Sequence, residues 1–275
     1  MKRQILIILL LVQFGLVPPV SADVVAESTD WLPVSAVLGE ILDYNVSFLW
    51  FKKIARGQIR FEQGEKDGTY IATLSAATRG TAAFFTRNRV ETYTTLMEEG
   101  PDGLLRPLLQ TSDTQKGKGS RVTHRITSYA FDFDAKQVIY SKAVNGNVEQ
   151  TQRLSMDELT PVYDFLTAFY NLRLGRLGPV IPGSGIKLSA FSRKGPEEIV
   201  ICRLFEEQQK LMDVSADLLL CKVLMAPGTF KTKGRDVYVA FDQQLRPQLA
   251  VIKNVIGLGD VRGELTRTSK ISYLR

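Results

Sequence analysis

Residues 42–50 read Leu-Asp-Tyr-Asn-Val-Ser-Phe-Leu-Trp, and this stretch decides the fold. Apolar residues occupy every second position from Leu42 to Trp50, and polar residues fill most of the positions between them. Alternation with a period of two, carried by aromatic and β-branched residues, predicts a half-buried strand. Residues 58–62 alternate again after the polar break at Lys52-Lys53, so residues 40–63 are predicted to form a hairpin.

The same pattern continues over most of the chain. Turn residues separate the alternating segments, and Asn145-Gly146 is the strongest hairpin signal among them. No repeat of fixed length and no change of composition marks a boundary between domains. The further strands are predicted at 69–78, 89–97, 104–111, 121–133, 137–143, 148–154, 186–191, 198–207, 216–225, 236–241, 247–254 and 260–266.

One helix interrupts the strands. Thr160 is a suitable N-cap and Pro161 suits the first helical position. Val162, Phe165, Leu166 and Phe169 then follow the spacing of an apolar helix face, which ends near Arg173. The predicted fold is mainly β: one curved antiparallel sheet or an open or partly closed β-barrel, with one main helix at about 161–173. We expect the apolar face of this helix to lie on the concave side of the sheet.

The first 22 residues have the pattern of a secretory signal peptide. Lys2-Arg3 precedes an apolar run from Ile5 to Val12, and Val20-Ser21-Ala22 suits cleavage after Ala22. The run is too short to span a bilayer, which needs about 20 residues. We therefore expect a periplasmic protein that does not span the membrane after cleavage. It would have a lead segment at 23–38 and a single β-rich domain at 39–270.

Composition excludes several classes of function. The formal net charge of +6 is too small to indicate nucleic-acid binding, and export argues against it as well. Two cysteines and one histidine cannot supply the usual zinc or multi-histidine sites, so we expect no metal and no cofactor. His124 is the one imidazole available as a base, and no G-x-S-x-G elbow accompanies it. The sequence predicts no catalytic residues, and we expect a protein that is not an enzyme.

A basic cluster surrounds a glycine-containing loop at residues 116–125. Its members could attract anionic envelope lipid, or they could be solvated charges at a hairpin tip that deter edge pairing. The cluster consists of Lys116, Lys118, Arg121 and Arg125.

The two cysteines lie in strands that read as one hairpin. Cys202 and Cys221 are equally far from a loop centred at 211–212, so they are predicted to face each other across neighbouring strands. Opposed residues lie within disulfide range, and an exported protein can keep such a bond. The sequence predicts a structural disulfide, with two buried free thiols as the alternative.

Several short motifs follow one another in a recognisable order along the chain. The most recognisable segment is the helix from Asp164 to Tyr170, followed by Leu172-Arg173. The other motifs are Gly39-Glu40, Tyr44, Gly57, Asp102-Gly103-Leu104, Pro107, Phe131-Asp132, Val138, Ala226-Pro227-Gly228-Thr229-Phe230, Arg246-Pro247 and the segment 257–265. In this order they resemble the domain-of-unknown-function 3108 family of exported bacterial proteins. The resemblance implies an exported β-rich fold and no established activity, and it supplies no catalytic residue.

Two functions remain open at this point. One is a periplasmic binding or carrier protein that holds an apolar or lipid-like ligand in its curved sheet. The other is an envelope assembly or interaction protein with no small ligand. The aromatic residues expected on the concave side would suit an apolar cavity and a filled core equally well, and the sequence does not indicate an oligomeric state. The candidate ligand-binding residues are Tyr44, Phe48, Trp50, Phe165 and Phe169.

Overall fold

A computed structural model of the chain describes seven stretches of residues: 31–48, 51–80, 88–156, 162–192, 195–224, 236–255 and 259–271. The proposed signal peptide at 1–22 and the first half of the lead segment, 23–30, lie outside them. In the described stretches, no helix has both the length and the apolar character needed to cross a membrane. The same stretches bring together no group of three or more potential metal ligands.

Fifteen strands form one sheet within the described residues. The sheet order is β8-β7-β6-β5-β4-β3-β2-β1-β15-β14-β13-β12-β11-β10-β9, so the first strand pairs with the last. The strands are β1 Glu40–Phe48, β2 Phe51–Gln63, β3 Thr69–Thr78, β4 Val90–Glu99, β5 Leu105–Lys116, β6 Thr123–Asp132, β7 Gln137–Val144, β8 Asn147–Ser155, β9 Val162–Tyr163, β10 Gly185–Ser192, β11 Gly195–Arg203, β12 Leu219–Leu224, β13 Asp236–Phe241, β14 Pro247–Val255 and β15 Gly259–Lys270.

The predicted mainly β fold with a large antiparallel sheet is confirmed. Each strand pairs antiparallel with its neighbours, except that β9 pairs parallel with β10. Thr69–Thr78 and Asp236–Phe241 have the predicted bounds, because alternation there is bounded by clear turn residues. Among the residues that the structure describes, the sheet does not close by hydrogen bonding, and β8 and β9 are its two edges.

The sheet curls so that β9 and β10, near one edge, pack against β6 and β7, near the other edge. Val162 in β9 and Phe191 in β10 contact Phe131 and Val138, which lie on β6 and β7. The rings of Phe131 and Phe191 meet edge to face, with centroids 6.3 Å apart. Within the described residues, apolar packing therefore joins the two edges of the sheet in place of strand pairing. We call this contact the seam. β8 continues past this seam, and eight of its nine residues, all except Leu154, are exposed.

The main helix, α1, spans Phe165–Arg173 on the concave side of the sheet. Its N-cap is Asp164, whose carboxylate accepts hydrogen bonds from the backbone N–H groups of Leu166 and Thr167. The predicted start at Pro161 is wrong. Val162 belongs to β9 and not to the helix face, because pairing with β10 extends the backbone there; Thr160 and Pro161 lie outside the described residues.

The position of α1 distinguishes the two ends of the sheet. Asn171 exchanges hydrogen bonds of 2.8 and 2.9 Å with the backbone of Leu105, at the start of β5. Arg173 reaches Glu40 at the start of β1. We call the end that holds these contacts the helix end. The opposite end, where β1, β5 and β7 finish at Phe48, Lys116 and Val144, is the distal end.

A second, shorter helix lies in the connection between β11 and β12. α2 spans Glu206–Leu211. The strand predicted at 198–207 corresponds to β11, which ends at Arg203 because the helix follows. The Gln209 side chain bonds to the carbonyl oxygens of Ser215 and Leu218, which fixes the connection as it returns to β12.

Candidate ligand site on the concave face

Cross-strand partners share a face of the sheet, so the register identifies the side chains on the concave side. One row of such partners lies near the distal end and crosses five strands, from β15 to β11. Val261 pairs with Ile252, Ile252 with Val237, Val237 with Val223, and Val223 with Ile201. Every member is β-branched and apolar. This row, the apolar wall, faces the same side as the core around Leu172 of α1.

A second row, next to the apolar wall, has small residues at its centre. Val46 pairs with Gly263, Gly263 with Ala250, and Ala250 with Val239. A Cβ placed on Gly263 would meet no atom within 4 Å. The concave face therefore has open space beside the apolar wall.

Across the interior, strands β4 to β7 present polar side chains on the same concave side. Glu91 pairs with Thr114 and Thr114 with Arg125. A second row runs from Ser112 through Thr127 to Lys142. We call these residues the polar wall. Glu91 is paired with Arg89, so negative and positive groups are both present.

Two aromatic residues of α1 lie on the concave side, between the strands of the two walls. Phe165 and Phe169 are half-buried, whereas the residues between and after them in the helix are buried. The Phe165 ring meets Tyr93 edge to face at 5.4 Å, and Phe169 packs against the two cores that flank the helix. Burial and the nearby Glu91 carboxylate raise the pKa of the Tyr93 hydroxyl, so this group stays neutral.

The structure separates the five predicted ligand-binding residues. Tyr44 is buried, and its hydroxyl donates to the Pro247 carbonyl at 3.0 Å, so it acts in the core. Trp50 and the side chain of Phe48 lie outside the described residues. Phe165 and Phe169 are half-buried on α1, where Phe165 contacts Tyr93 and Phe169 packs on the same core as Val239.

The basic cluster is divided in the same way. Lys118 and Arg121 are exposed at the tip between β5 and β6. The register places Lys116 and Arg125 on the concave side, in line with Thr114. The cluster therefore contributes both to the distal tip and to the polar wall.

The predicted disulfide is wrong. Cys202 pairs with Lys222 and Cys221 pairs with Arg203, so the cysteines are one residue out of register. A shift of one residue points the two side chains to opposite faces of the sheet, and both thiols are free. Helix α2 lies asymmetrically in the connection, and this moved the centre of the hairpin away from the position expected from sequence spacing.

Sequence reasoning missed a set of buried polar residues beneath α1. Asp164 accepts a hydrogen bond from Thr95 Oγ1 at 2.8 Å, and Arg173 forms a buried ion pair with Glu40. Arg176, directly after the helix, pairs with Glu99 at 2.7 Å. The signal for this set in the sequence is the presence of polar residues at 164, 171 and 173 among apolar neighbours. They fix the helix to β1, β4 and β5 and so determine where Phe165 and Phe169 lie.

His124 lies on the convex face, away from this space. Its Nε2 is 2.7 Å from Asp113 Oδ1, and both side chains are about one-third exposed. Its neighbours Thr114 and Arg125 point to the other side of the sheet, as the register requires. The histidine and the polar wall therefore do not form one site.

Comparison with known proteins gives a family and a fold. A family model described as "Protein of unknown function (DUF3108)" matches residues 43–266. No curated protein matches the chain. A similar solved structure is the crystal structure of a β-barrel-like protein of domain of unknown function DUF1849 from Brucella abortus. It is 9% identical with a TM-score of 0.50, and the similarity covers 86% of this chain and 99% of that one. This similarity supports the barrel-like curl of the sheet.

Proposed function

Since this chain belongs to the DUF3108 family of proteins of unknown function, we propose a function from its own concave face: it is a non-enzymatic periplasmic protein that binds or carries a lipid-like ligand. The ligand would occupy the space between the apolar wall and the polar wall. Phe165 and Phe169 would contact the end of its chain nearest α1. The signal-like sequence at 1–22 supports export.

The open space at Gly263 is the observation that carries this proposal. A row of β-branched side chains lies next to it, while charged and hydroxyl groups line the opposite strands. A purely apolar ligand would leave the polar wall unsatisfied, and a sugar or ion would gain nothing from the apolar wall. An amphipathic molecule with an acyl chain and a polar head matches both. Ligand pockets generally combine an apolar lining with a few polar groups in this way.

Filling the space tests the proposal directly. Gly263 does not have the positive φ that disfavours side chains, and its Cβ would meet no atom within 4 Å, so a Gly263→Trp substitution is a suitable way to place a ring in this space. The matched control is Glu264→Trp, one residue along β15 and exposed on the convex side. Each protein is purified from the envelope fraction of expressing bacteria, and its bound molecules are identified by native mass spectrometry.

We expect wild type and Glu264→Trp to carry a lipid-sized adduct and Gly263→Trp to lack it, at unchanged melting temperature. A wild-type protein without any adduct, or equal retention by Gly263→Trp, would contradict the proposal. Sequencing the N-terminus of the same preparation tests export, and a mature start at Asp23 is the expected result.

The alternative is an envelope assembly protein without a small ligand, and β8 favours it. This strand is a sheet edge exposed along most of its length, which is a template for pairing with another chain. The bulge between Lys142 and Ala143 of β7, opposite the start of β8, counts against such pairing, because bulges twist an edge away from a partner. A stable protein partner retained by the adduct-free protein would favour this alternative.

A further inference from the structure

The sequences that connect the strands differ sharply in charge between the two ends of the sheet. Strands that meet the distal end are connected in sequence by 49–50, 79–89, 117–122, 145–146, 193–194, 225–235 and 256–258, of which 49–50, 81–87, 193–194, 225–235 and 256–258 lie outside the described residues. In sequence these connecting segments carry ten basic residues and no acidic residue. The segments that join strands at the helix end are 64–68, 100–104, 133–136, 156–161, 164–184, 204–218 and 242–246. In sequence they carry twelve acidic and six basic residues. The chain's modest net charge of +6 hides this separation.

Acidic residues in the strands near the distal end are fewer than these ten basic residues. They are Glu91, Asp113, Glu149, Glu197, Glu198, Asp236 and Asp260. Glu149 is paired with Lys142, and Lys253 bonds Asp260 at 2.7 Å. Glu91 is likewise paired with Arg89. Basic residues near these strand ends, by contrast, are exposed, namely Lys53, Lys118 and Arg121. The described part of the distal end therefore presents exposed positive charge to its surroundings.

Apolar side chains are exposed among these charges. Phe51 is 46% exposed at the start of β2, and Val122 is 43% exposed beside Arg121. Exposed apolar residues ringed by basic ones are typical of surfaces that bind the interface of a membrane. Anionic headgroups attract each nearby Lys or Arg, and apolar tips can enter the boundary between headgroups and acyl chains.

We propose that the distal end docks on a lipid bilayer surface that contains anionic phospholipid. The docking surface comprises Phe51, Lys53, Lys118, Arg121 and Val122. The negative helix end would be repelled by the same membrane, which orients the molecule with the distal end toward the lipid. This orientation brings the space beside the apolar wall close to the membrane. The inference extends the proposed function, but docking can occur whether or not a ligand is carried.

Co-sedimentation with vesicles tests the docking. The exported, purified protein is mixed with vesicles of phosphatidylethanolamine and phosphatidylglycerol, and separately with vesicles of phosphatidylcholine alone. The test variant is Lys118→Glu with Arg121→Glu. The control is Lys66→Glu with Lys210→Glu, which makes the same change of charge at exposed positions of the helix end. Melting curves verify that both variants are folded.

We expect wild type and the control to bind the anionic vesicles, and the binding to weaken as salt is added. The test variant should lose at least about tenfold in partitioning, because each basic residue near an anionic surface contributes roughly fivefold. Equal loss in both variants, binding to neither kind of vesicle, or equal binding to both kinds would overturn the proposal. Ligand retention by the Lys118→Glu, Arg121→Glu protein distinguishes membrane docking from ligand binding. We expect this variant to lose vesicle binding and to keep the adduct. If the wild-type protein carries the adduct but does not bind anionic vesicles, the docking proposal is wrong and the proposed function stands.

Discussion

Asp164 is the residue on which the placement of α1 depends most. Its carboxylate is buried and accepts hydrogen bonds from Thr95 and Thr167 as well as from the helix N-terminus. Burial raises the pKa of this carboxyl above its usual 3.8, although the hydrogen bonds act in the opposite direction. A group with a raised pKa in the folded state binds more protons when folded than when unfolded. Stability is therefore lost as pH rises from about 4 to the folded pKa.

A neutral substitution at this position isolates that effect. Relative to Asp164→Asn, which cannot titrate, the wild-type free energy of unfolding should fall as pH rises above about 4. Each unit of pKa shift corresponds to about 1.4 kcal/mol. Urea unfolding at a series of pH values measures the difference. Asp134→Asn, an exposed carboxyl in the turn between β6 and β7, controls for the loss of one carboxylate. If the free energy of unfolding of the wild type, relative to Asp164→Asn, instead increases with pH, the pKa of Asp164 is not raised.

The two cysteines make a second prediction for single residues. Burial raises the pKa of the Cys221 thiol to about 11, whereas Cys202 is only half-buried. Since the thiolate is the reactive form, iodoacetamide should modify Cys202 in the native protein and leave Cys221 intact. Unfolding should expose two free thiols, counted by mass spectrometry. Unfolded, unreduced protein with no free thiol would mean that the register of β11 and β12 is wrong.

At the level of the helix, adjacent residues of α1 should respond differently to truncation. Leu166 is 1% exposed in the core, so Leu166→Ala should cost about 2–5 kcal/mol. Phe165 is half-buried beside Tyr93 and is a proposed ligand contact, so Phe165→Ala should reduce stability less, and ligand retention more, than Leu166→Ala does. Thermal melts and native mass spectrometry of the two variants measure both quantities. The reverse ranking would place Phe165 in the core and Leu166 at the site.

Individual elements show what sequence could predict. Alternation located β1 and β3 well, because period-two burial is a local property of each strand. The helix was found, but its start was misplaced, because Val162 fits the helical spacing and only its pairing with a distant strand makes it extended. Phe165 and Phe169 were identified as site candidates from their aromatic character. The polar wall was not identified, because alternating Thr, Ser and Lys residues resemble a solvated face until the curl encloses them.

For the whole molecule, the seam between the two ends of the sheet was beyond sequence reasoning, since it joins Phe131 and Phe191 across 60 residues of chain. It also makes a prediction. In a sheet closed by packing, an edge strand keeps one row of amides without ladder partners, and β8 extends past the seam with most of its side chains exposed. β1, between β2 and β15, is paired on both sides.

Hydrogen exchange should therefore be graded along the sheet. We expect amides of β1 and β2 to exchange near the rate set by global unfolding, and those of β8 to exchange fastest among the strands from β1 to β8. Mass spectrometry of peptides covering residues 40–48 and 147–155 gives the comparison. Val138→Ala, which weakens the seam, should speed exchange in β6 to β9 and leave β1 unchanged. If the amides of β8 and β1 are equally protected from exchange, the sheet closes through backbone pairing. The packed seam would then not complete the barrel-like curl.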